Sequence, residues 1–195
     1  MIYLLSTNRP EWASFAYTQF LKTTSCRLVV LDNSKEGDIY WSTKDCEYHH
    51  IPQLENVSQM FNYFADQYKG DEDLFYMDDD IEISKDTVPI MYKAFEQGYD
   101  CVKNCLVKVT HGEKQGLWHR RANQVGACWM SKNNLWQRAR FRENTVEGVC
   151  VYWSELWDYN CRYLFLPDLA NYLIHDNNVI LRASKFEFIL NKGID

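Results

Sequence analysis

Three adjacent carboxylates, Asp78, Asp79 and Asp80, directly follow a predicted strand at residues 73–77. Neighbouring carboxylates repel one another, and each loses hydration when it is buried, so such a triplet is costly unless a cation neutralises it. A divalent metal held by one or two of them, with a diphosphate completing its coordination shell, removes that cost. A solvated acidic turn is the alternative, but the position at a strand end favours the metal site.

Polar side chains also follow the first two predicted strands. Thr7, Asn8 and Arg9 come after the first strand, and Asp32 and Asn33 end the second. In parallel, doubly wound sheets, ligands bind at the carboxyl ends of the strands. The coincidence of three polar strand ends therefore predicts one ligand site at that edge of the sheet.

His175 follows the apolar segment LANYLI near the end of the sequence. A histidine in such a position is commonly a packed or surface residue. Beside an acidic cluster, however, its neutral imidazole can act as a metal ligand, although Mn²⁺ and Mg²⁺ bind mostly oxygen. His175 is therefore a candidate ligand alongside Asp78 and Asp80.

The seven cysteines have neither the spacing of a disulfide framework nor that of a common zinc site. Cys101 and Cys105 are followed by His111 and His119, but at distances that depart from zinc-site patterns. We expect reduced thiols, as in intracellular proteins, with Cys101 and Cys105 buried and free.

Residues 114–142 contain no acidic residue. They combine basic and aromatic side chains, namely Lys114, Arg120, Arg121, Lys132, Arg138, Arg140 and Arg142 with Trp118, Trp129, Trp136 and Phe141. Basic and stacking side chains together suit a phosphate-bearing partner, either a diphosphate or a nucleic acid strand. A solvated face that offsets the acidic remainder of the chain is the alternative.

The composition is that of a globular protein, with 195 residues, 46% hydrophobic and 25% charged, which suits one domain. A net charge of −6 argues against binding to nucleic acid or an anionic membrane through the overall charge of the molecule. The first residues do not form a signal peptide, and no apolar run approaches the roughly 18 residues that span a bilayer. We therefore expect a soluble, cytoplasmic protein.

Short apolar runs alternate with amphipathic segments through the first half of the chain. The pattern predicts strands over residues 2–5, 27–31, 47–52 and 73–77, and helices over residues 10–21, 56–68 and 86–98. Later in the chain it predicts strands over residues 99–109, 125–130, 163–166 and 172–174, a turn over 112–116, and helices from residue 132 and over 153–163. This alternation predicts an α/β fold with a parallel, doubly wound sheet.

Taken in order, these segments resemble the glycosyltransferases of the GT-A fold, in the family-2-like group. The loop Ser6-Thr7-Asn8-Arg9-Pro10 is similar to a Thr-x-Asn-Arg loop of that family, and Asp32-Asn33-Ser34 to the end of its second strand. The sequence FYMDDDIEI resembles its Asp-x-Asp metal motif, and Leu166-Pro167 leads to His175 as in its final strand. The resemblance covers nearly the whole chain.

The resemblance implies a GT-A-like three-layer α/β/α sandwich around a mostly parallel, Rossmann-like central sheet. It implies one glycosyltransferase domain over residues 1–195. Residues 1–85 would form the nucleotide-binding half, and residues 86–195 the acceptor-side half.

The resemblance also implies roles for single residues. Asp78, Asp80 and His175 would bind the metal, and Asp78 would also reach the ribose. The donor would be bound by residues at the strand ends and by one asparagine of the preceding helix, namely Thr7, Asn8, Arg9, Asp32, Asn33, Asn62, Asp78 and Asp79. Glu155 is the implied general base and Asp158 the alternative, since the family's adjacent acidic pair is spread over these two positions here.

The implied reaction transfers a hexosyl or pentosyl group from a nucleoside diphosphate sugar to an acceptor hydroxyl. A UDP-sugar is the expected donor. It would use Mn²⁺ or Mg²⁺ and invert the anomeric centre, and retention of the anomeric configuration on the same fold is the alternative. The acceptor would be a glycan or a hydroxymethylated DNA base, bound through residues 114–142, and a protein acceptor is the alternative.

Two other functions remain open at the level of sequence. A nucleotidyltransferase also joins a parallel sheet to acidic metal ligands, but it usually has a Gly-rich basic loop where this chain has residues 6–10. A non-catalytic nucleotide- or nucleic-acid-binding module would not need Asp78, Asp80 and His175 together.

Overall fold

The computed structural model describes residues 1–24, 26–105, 107–110, 113–117, 128–138, 140–141, 162–167, 170–176 and 179–182. The first half of the chain contains β1 (Ile2–Thr7), α1 (Ala13–Phe20), β2 (Arg27–Asp32), α2 (Ile39–Ser42), β3 (Glu47–His50), α3 (Val57–Gln67), β4 (Leu74–Asp78), β5 (Ile81–Ile83) and α4 (Thr87–Glu96). The second half contains β6 (Cys101–Cys105), β7 (Val107–Thr110), β8 (Glu113–Leu117), β9 (Cys128–Ser131), α5 (Asn133–Trp136), β10 (Tyr163–Pro167), β11 (Ala170–Asp176) and β12 (Val179–Arg182).

The central sheet has seven strands in the order β10-β6-β9-β4-β1-β2-β3. Neighbouring strands are parallel except at β9, which runs antiparallel to both β4 and β6. β1 lies between β2 and β4, with Thr7 level with Asp32 and Ser6 level with Asp78. The polar strand ends therefore meet at one edge, and the predicted mostly parallel α/β sheet is confirmed.

Alternate strand residues pack into two hydrophobic cores, one on each face of the sheet. Tyr3 and Leu5 belong to a core that also contains buried residues of α1, α2 and α4. Ile2 and Leu4 belong to a second core, which contains buried residues of α3 and α5. Because helices cover both faces, β1 is buried along its whole length, as expected for a strand inside a parallel sheet. This arrangement makes the three layers of the predicted sandwich.

The helix starts follow local signals in the sequence. α3 begins after Asn56, whose side chain accepts a hydrogen bond from the backbone N–H of Gln59 at 3.0 Å. A 3₁₀ turn, Pro10–Trp12, leads into α1, since proline has the φ of a first helical turn and lacks the N–H that would be left unbonded. No helix in the described part of the chain is both long enough and apolar enough to cross a membrane.

The sequence failed to predict three of the described strands, β5, β8 and β12. Residues 113–117 form β8, the antiparallel partner of β7, so the turn predicted over residues 112–116 is wrong for residues 113–116, and residue 112 lies outside the described residues. β5 pairs with β11 and β11 with β12, both antiparallel, and β5 and β12 were not predicted. The partner of β5 comes so late in the chain that no local pattern reveals it. Residues 153–161 of one predicted helix lie outside the described residues.

Candidate functional site

The acidic triplet, Asp78, Asp79 and Asp80, lies at the carboxyl edge of the central sheet. Asp78 is the last residue of β4, and Asp79 and Asp80 form the tight connection to β5. All three residues are at most 8% exposed. The triplet is therefore a buried cluster of acids, and the alternative of a solvated acidic turn is excluded.

Two hydroxyl groups orient the carboxylate of Asp78. Tyr76 donates a hydrogen bond to Asp78 Oδ1 at 2.6 Å, and Ser6 Oγ donates to the same oxygen at 3.1 Å. The two hydroxyl oxygens lie 2.6 Å from each other. Tyr76 precedes Asp78 by two residues, so both side chains lie on the same face of β4. Sequence reasoning missed Tyr76, although this two-residue spacing was its signal.

Burial raises the pKa values of two carboxyl groups of the triplet, those of Asp78 and Asp80. Loss of hydration, followed by the charge of Asp80, raises the pKa of Asp78 to about 8, although the hydrogen bonds from Tyr76 and Ser6 act in the opposite direction. Burial also raises the pKa of Asp80, and the nearby guanidinium of Arg9 lowers it in part. Without a further cation, the triplet therefore resists full ionisation.

Arg9 and Thr7 hold the other two carboxylates from the loop that follows β1. Thr7 donates to Asp79 Oδ2 at 2.7 Å. Arg9 donates to both carboxylate oxygens of Asp79, through Nε to Oδ2 at 3.3 Å and through Nη2 to Oδ1. The same Nη2 lies 2.9 Å from Asp80 Oδ2. The structure therefore brings together Thr7, Arg9 and the whole acidic triplet. This proximity was predicted from the parallel arrangement of the strands.

The chemistry of these oxygen atoms fits a divalent cation shared with a diphosphate. Among the side chains that the structure describes, no three acidic, histidine or cysteine groups converge closely enough to hold a metal by themselves. Mg²⁺, however, is usually bound by one or two carboxylates, with substrate phosphates and water at its other positions. One carboxylate oxygen is available, since Asp80 Oδ1 is buried and has no hydrogen-bond partner among the described residues.

Asp32 ends β2 on the other side of β1, and its carboxylate is held at both oxygens. Tyr48 donates to Oδ2 at 2.6 Å, and the backbone N–H of Ser34 donates to Oδ1 at 2.8 Å. Burial, followed by the hydrogen bond to Asp32, raises the pKa of Tyr48 to about 12, so this hydroxyl remains a donor at neutral pH. Each carboxylate oxygen keeps a second lone pair with which to accept a ligand.

Asn33 and Asn8 occupy different settings at the same edge. The side chain of Asn33 donates to the backbone carbonyl of Leu54 at 2.8 Å, and its backbone N–H donates to the backbone carbonyl of Thr7 at 3.1 Å. Asn33 therefore links three segments of the edge. Asn8 is exposed in the loop after β1. Donor binding by either residue stays a prediction.

Asn62 joins α3 to the segment at residues 140–141. Its side-chain amide donates to the backbone carbonyl of Phe141 at 3.0 Å and accepts from the N–H of Phe141 at 2.9 Å. Asn62 and Phe141 are both buried. This pair of hydrogen bonds gives Asn62 a structural role, whereas its implied contact with the donor stays a prediction.

We expect replacement of Asn62 by alanine to lower the free energy of unfolding by about 2–4 kcal/mol, because two buried backbone groups of Phe141 lose this partner. Urea unfolding measures the change. Gln67→Ala, at an exposed position of the same helix, is the control and should change stability by at most about 0.5 kcal/mol. If the two variants are equally stable, the structural role of Asn62 is refuted.

The remaining predicted residues lie in the second half of the chain. His175 belongs to β11, and its side chain lies outside the described residues. β11 is antiparallel to β5, with Tyr172 opposite Ile81, so residues 173–176 continue past the start of β5 on the side where Asp80 precedes it. Glu155 and Asp158 lie outside the described residues. The structure therefore leaves these three assignments as predictions.

Residues 114–142 form the basic segment of the chain. Its aromatic residues do not form a stacking surface where the structure describes them. Trp129, Trp136 and Phe141 are at most 6% exposed, because they pack against α3 in the hydrophobic core. The stacking role predicted for these three residues is therefore wrong. Two basic residues of the segment form ion pairs, Lys132 with Asp100 and Arg140 with Asp66. Trp118 lies outside the described residues.

Four cysteines have described side chains and form no disulfide with one another, namely Cys26, Cys46, Cys101 and Cys128. Cys101 is buried, as the sequence predicted. The side chain of Cys105 lies outside the described residues.

No protein-family model matches the chain, and no curated protein matches it either. Solved structures do share its fold. GalNAc-T7, in a crystal structure with UDP, GalNAc and Mn²⁺, has a TM-score of 0.63 and 8% sequence identity, over 91% of this chain and 43% of that one. TarS from S. aureus has a TM-score of 0.56 and 15% identity, over 73% of this chain and 50% of that one.

A third similar structure is the 4-diphosphocytidyl-2C-methyl-D-erythritol synthase of Anaerococcus prevotii. It has a TM-score of 0.57 and 8% identity, over 86% of both chains. The chain thus spans half the length of the TarS structure, but most of the length of this synthase. At such identities the similarity shows the fold, and the predicted GT-A-like α/β architecture is confirmed.

Proposed function

We propose that the chain is a metal-dependent glycosyltransferase that moves a sugar from a nucleoside diphosphate donor to an acceptor hydroxyl. UDP is the nucleotide that we propose for the donor. The observation that carries this proposal is the buried acidic triplet at the carboxyl edge of the sheet. Its three carboxylates and the guanidinium of Arg9 sum to a formal charge of −2 when all are ionised, which suits one divalent cation. Both glycosyltransferases and nucleotidyltransferases occur among the structural neighbours.

The positions of Asp32 and Asp78 support a nucleotide that lies across the end of β1. Asp32 is level with Thr7 on one side of β1, and Asp78 is level with Ser6 on the other. Their backbones are therefore about two strand spacings, roughly 10 Å, apart. We infer that the base lies towards Asp32 and the diphosphate towards the acidic triplet, with Thr7, Asn8, Arg9 and Asn33 along the donor.

Asp78 and Asp80 would hold Mn²⁺ or Mg²⁺, with His175 as the third protein ligand, and the bound ion would neutralise the charge of the leaving diphosphate. Tyr76 and Ser6 fix the orientation of Asp78 before any ligand binds. Asp79, held at both oxygens by Thr7 and Arg9, serves mainly to position that loop against the donor.

The chemical step assigns one further role to an acidic side chain. Glu155, or Asp158 in its place, would take the proton of the acceptor hydroxyl. The acceptor oxygen would form a bond to the anomeric carbon as the bond from that carbon to the diphosphate breaks. One displacement from the opposite face inverts the anomeric centre. The acceptor would be a glycan or a hydroxymethylated DNA base, approached through the basic side chains of residues 114–142.

Asp32→Ala should raise the dissociation constant of the donor about tenfold or more. A hydrogen bond to a charged acceptor contributes about 1.5–3 kcal/mol, and 1.4 kcal/mol corresponds to a factor of ten. Calorimetric titration with UDP in the presence of Mn²⁺ measures the effect.

Tyr48→Phe is the matched variant for this test, because it keeps the Asp32 carboxylate but removes the hydroxyl that orients it. We expect a smaller rise in the dissociation constant, by about a few-fold, since the carboxylate that contacts the donor is kept and only the hydrogen bond that orients it is lost. If UDP binds to Asp32→Ala as to the unmodified protein, Asp32 does not contact the donor.

A nucleotidyltransferase is the second candidate, because the chain and the Anaerococcus prevotii synthase cover each other almost completely. Against it, the loop after β1 is short and its Arg9 is bound to Asp79 and Asp80. One assay separates the candidates. The protein is incubated with a panel of nucleotide sugars and Mn²⁺, and in parallel with nucleoside triphosphates and sugar phosphates.

Release of a nucleoside diphosphate, abolished by EDTA and restored by Mn²⁺, supports glycosyl transfer. Release of pyrophosphate from a triphosphate supports nucleotidyl transfer instead. A protein that binds nucleotides and forms neither product is a binding module. Adding oligosaccharides or hydroxymethylcytosine-containing DNA to the productive mixture identifies the acceptor class by the increase in turnover.

A further inference from the structure

Arg9 contacts the acidic triplet asymmetrically. It bonds to both oxygens of Asp79, through Nε and Nη2, and Thr7 supports the same carboxylate. Asp80, in contrast, has one ion pair with the described side chains, in which its Oδ2 lies 2.9 Å from the Arg9 Nη2 that Asp79 also binds. Asp79 therefore holds Arg9 by more hydrogen bonds than Asp80 does, and the contact with Asp80 is the one that can break while Arg9 stays in place.

Asp80 is short of partners for a buried carboxylate. The residue is 3% exposed, and Oδ1 has no hydrogen-bond partner among the described residues. A buried carboxylate normally accepts several hydrogen bonds or binds a cation. Within the described part of the chain, the ion pair with Arg9 thus leaves Oδ1 of Asp80 unsatisfied, and a divalent cation would satisfy it better.

We propose that Arg9 is an internal counter-ion that competes with the divalent cation for Asp80. The proposal rests on the metal site of the proposed function but adds a role that this function does not require. In the metal-free protein, Arg9 partly neutralises Asp79 and Asp80, which allows the triplet to remain buried. When a cation binds Asp80, Arg9 Nη2 leaves that carboxylate while the guanidinium stays on Asp79.

Competition by Arg9 weakens the affinity for the metal, since its positive charge repels the incoming cation and its contact with Asp80 must be broken. Removing the charge while keeping a long apolar side chain, as in Arg9→Met, should therefore lower the dissociation constant for Mn²⁺ about tenfold. Arg9→Lys keeps the charge but lacks the planar fork that reaches both carboxylates. It should bind Mn²⁺ with an affinity between those of the other two proteins.

The test is a calorimetric titration of the full, metal-free chain with MnCl₂ in the absence of nucleotide. Arg27→Met is the matched control, because Arg27 pairs with Glu47 and Glu72 near the amino ends of β2 and β4, away from the triplet. Its Mn²⁺ affinity should equal that of the unmodified protein. The rise of the melting temperature on addition of Mn²⁺ gives a second readout, and it should be larger for Arg9→Met than for the unmodified chain.

A lower or equal Mn²⁺ affinity of Arg9→Met overturns the proposal, as does the absence of Mn²⁺ binding in both proteins. If Arg9→Met does not fold, Mg²⁺ titration of the unmodified chain still decides. The Nε–H resonance of Arg9 in an NMR spectrum should then shift with the Mg²⁺ concentration, and a constant resonance refutes the competition. Failure of the proposed function is a separate result, since it appears as the absence of diphosphate release from every nucleotide sugar.

Discussion

Asp80→Ala is expected to reduce metal-dependent turnover of the donor by about 10³-fold or more, while the protein stays folded. A metal ion provides several kcal/mol of charge stabilisation, and each 1.36 kcal/mol is a factor of ten in rate. Asp80 carries the buried oxygen that lacks a partner among the described residues, so its loss removes the group best placed to bind a cation. The variant also removes one of three repelling carboxylates, so the melting temperature of the metal-free protein should not fall.

Diphosphate release measured with Mn²⁺, together with thermal unfolding in EDTA, checks both expectations. Asp66→Ala is the control, because it removes the same charge from an exposed position of α3, where Asp66 pairs with Arg140. That variant should keep full turnover. Full turnover by Asp80→Ala would place the metal site elsewhere.

Glu155→Gln is expected to lower sugar transfer by about 10² to 10⁴, the usual contribution of a positioned general base. The amide is nearly isosteric with the acid, and the base acts on the acceptor rather than on the nucleotide. Binding of UDP and of Mn²⁺ should therefore be unchanged. Single-turnover transfer rates and calorimetric titration together separate a loss of chemistry from a loss of binding.

Asp158→Asn is the companion variant, three residues further along the chain, and should reduce transfer less. A larger loss in Asp158→Asn than in Glu155→Gln would move the base to Asp158. If Glu155 only interacts with the dipole of a helix, its replacement costs about 0.3–1 kcal/mol of stability and leaves transfer intact. That combination of results would remove Glu155 from the mechanism.

The first half of the fold could be predicted from the sequence because each element carries its own local signal. β1, β2 and β4 are short buried runs that end in polar residues, and Pro10 marks the start of the first helical segment. The parallel order of such strands then predicts that Thr7, Arg9 and the acidic triplet lie together. The structure confirms this arrangement.

β5 and the contact between Tyr48 and Asp32 were not predicted because each depends on residues that are distant in the sequence. β5 has only three residues, and its pairing with β11 joins residues 81–83 to residues 170–172, which are far apart in the sequence. Tyr48 could not be predicted as the partner of Asp32, since the contact needs the register of β2 against β3 and the loop between them. Likewise, Trp129, Trp136 and Phe141 lie among basic residues, a composition typical of a binding surface. Only their packing against α3 shows that they are core residues.

The strand β9 also determines the order in which the sheet can assemble during synthesis. β1 to β4 join through local crossovers, but β4 and β6 meet only through β9, whose residues 128–131 are made later. At about 5–20 residues per second, β4 remains an open edge on the ribosome for a period on the order of seconds. An open edge of apolar residues is a template for pairing with another chain. Chains truncated before residue 128 should therefore aggregate rather than fold into a smaller soluble domain.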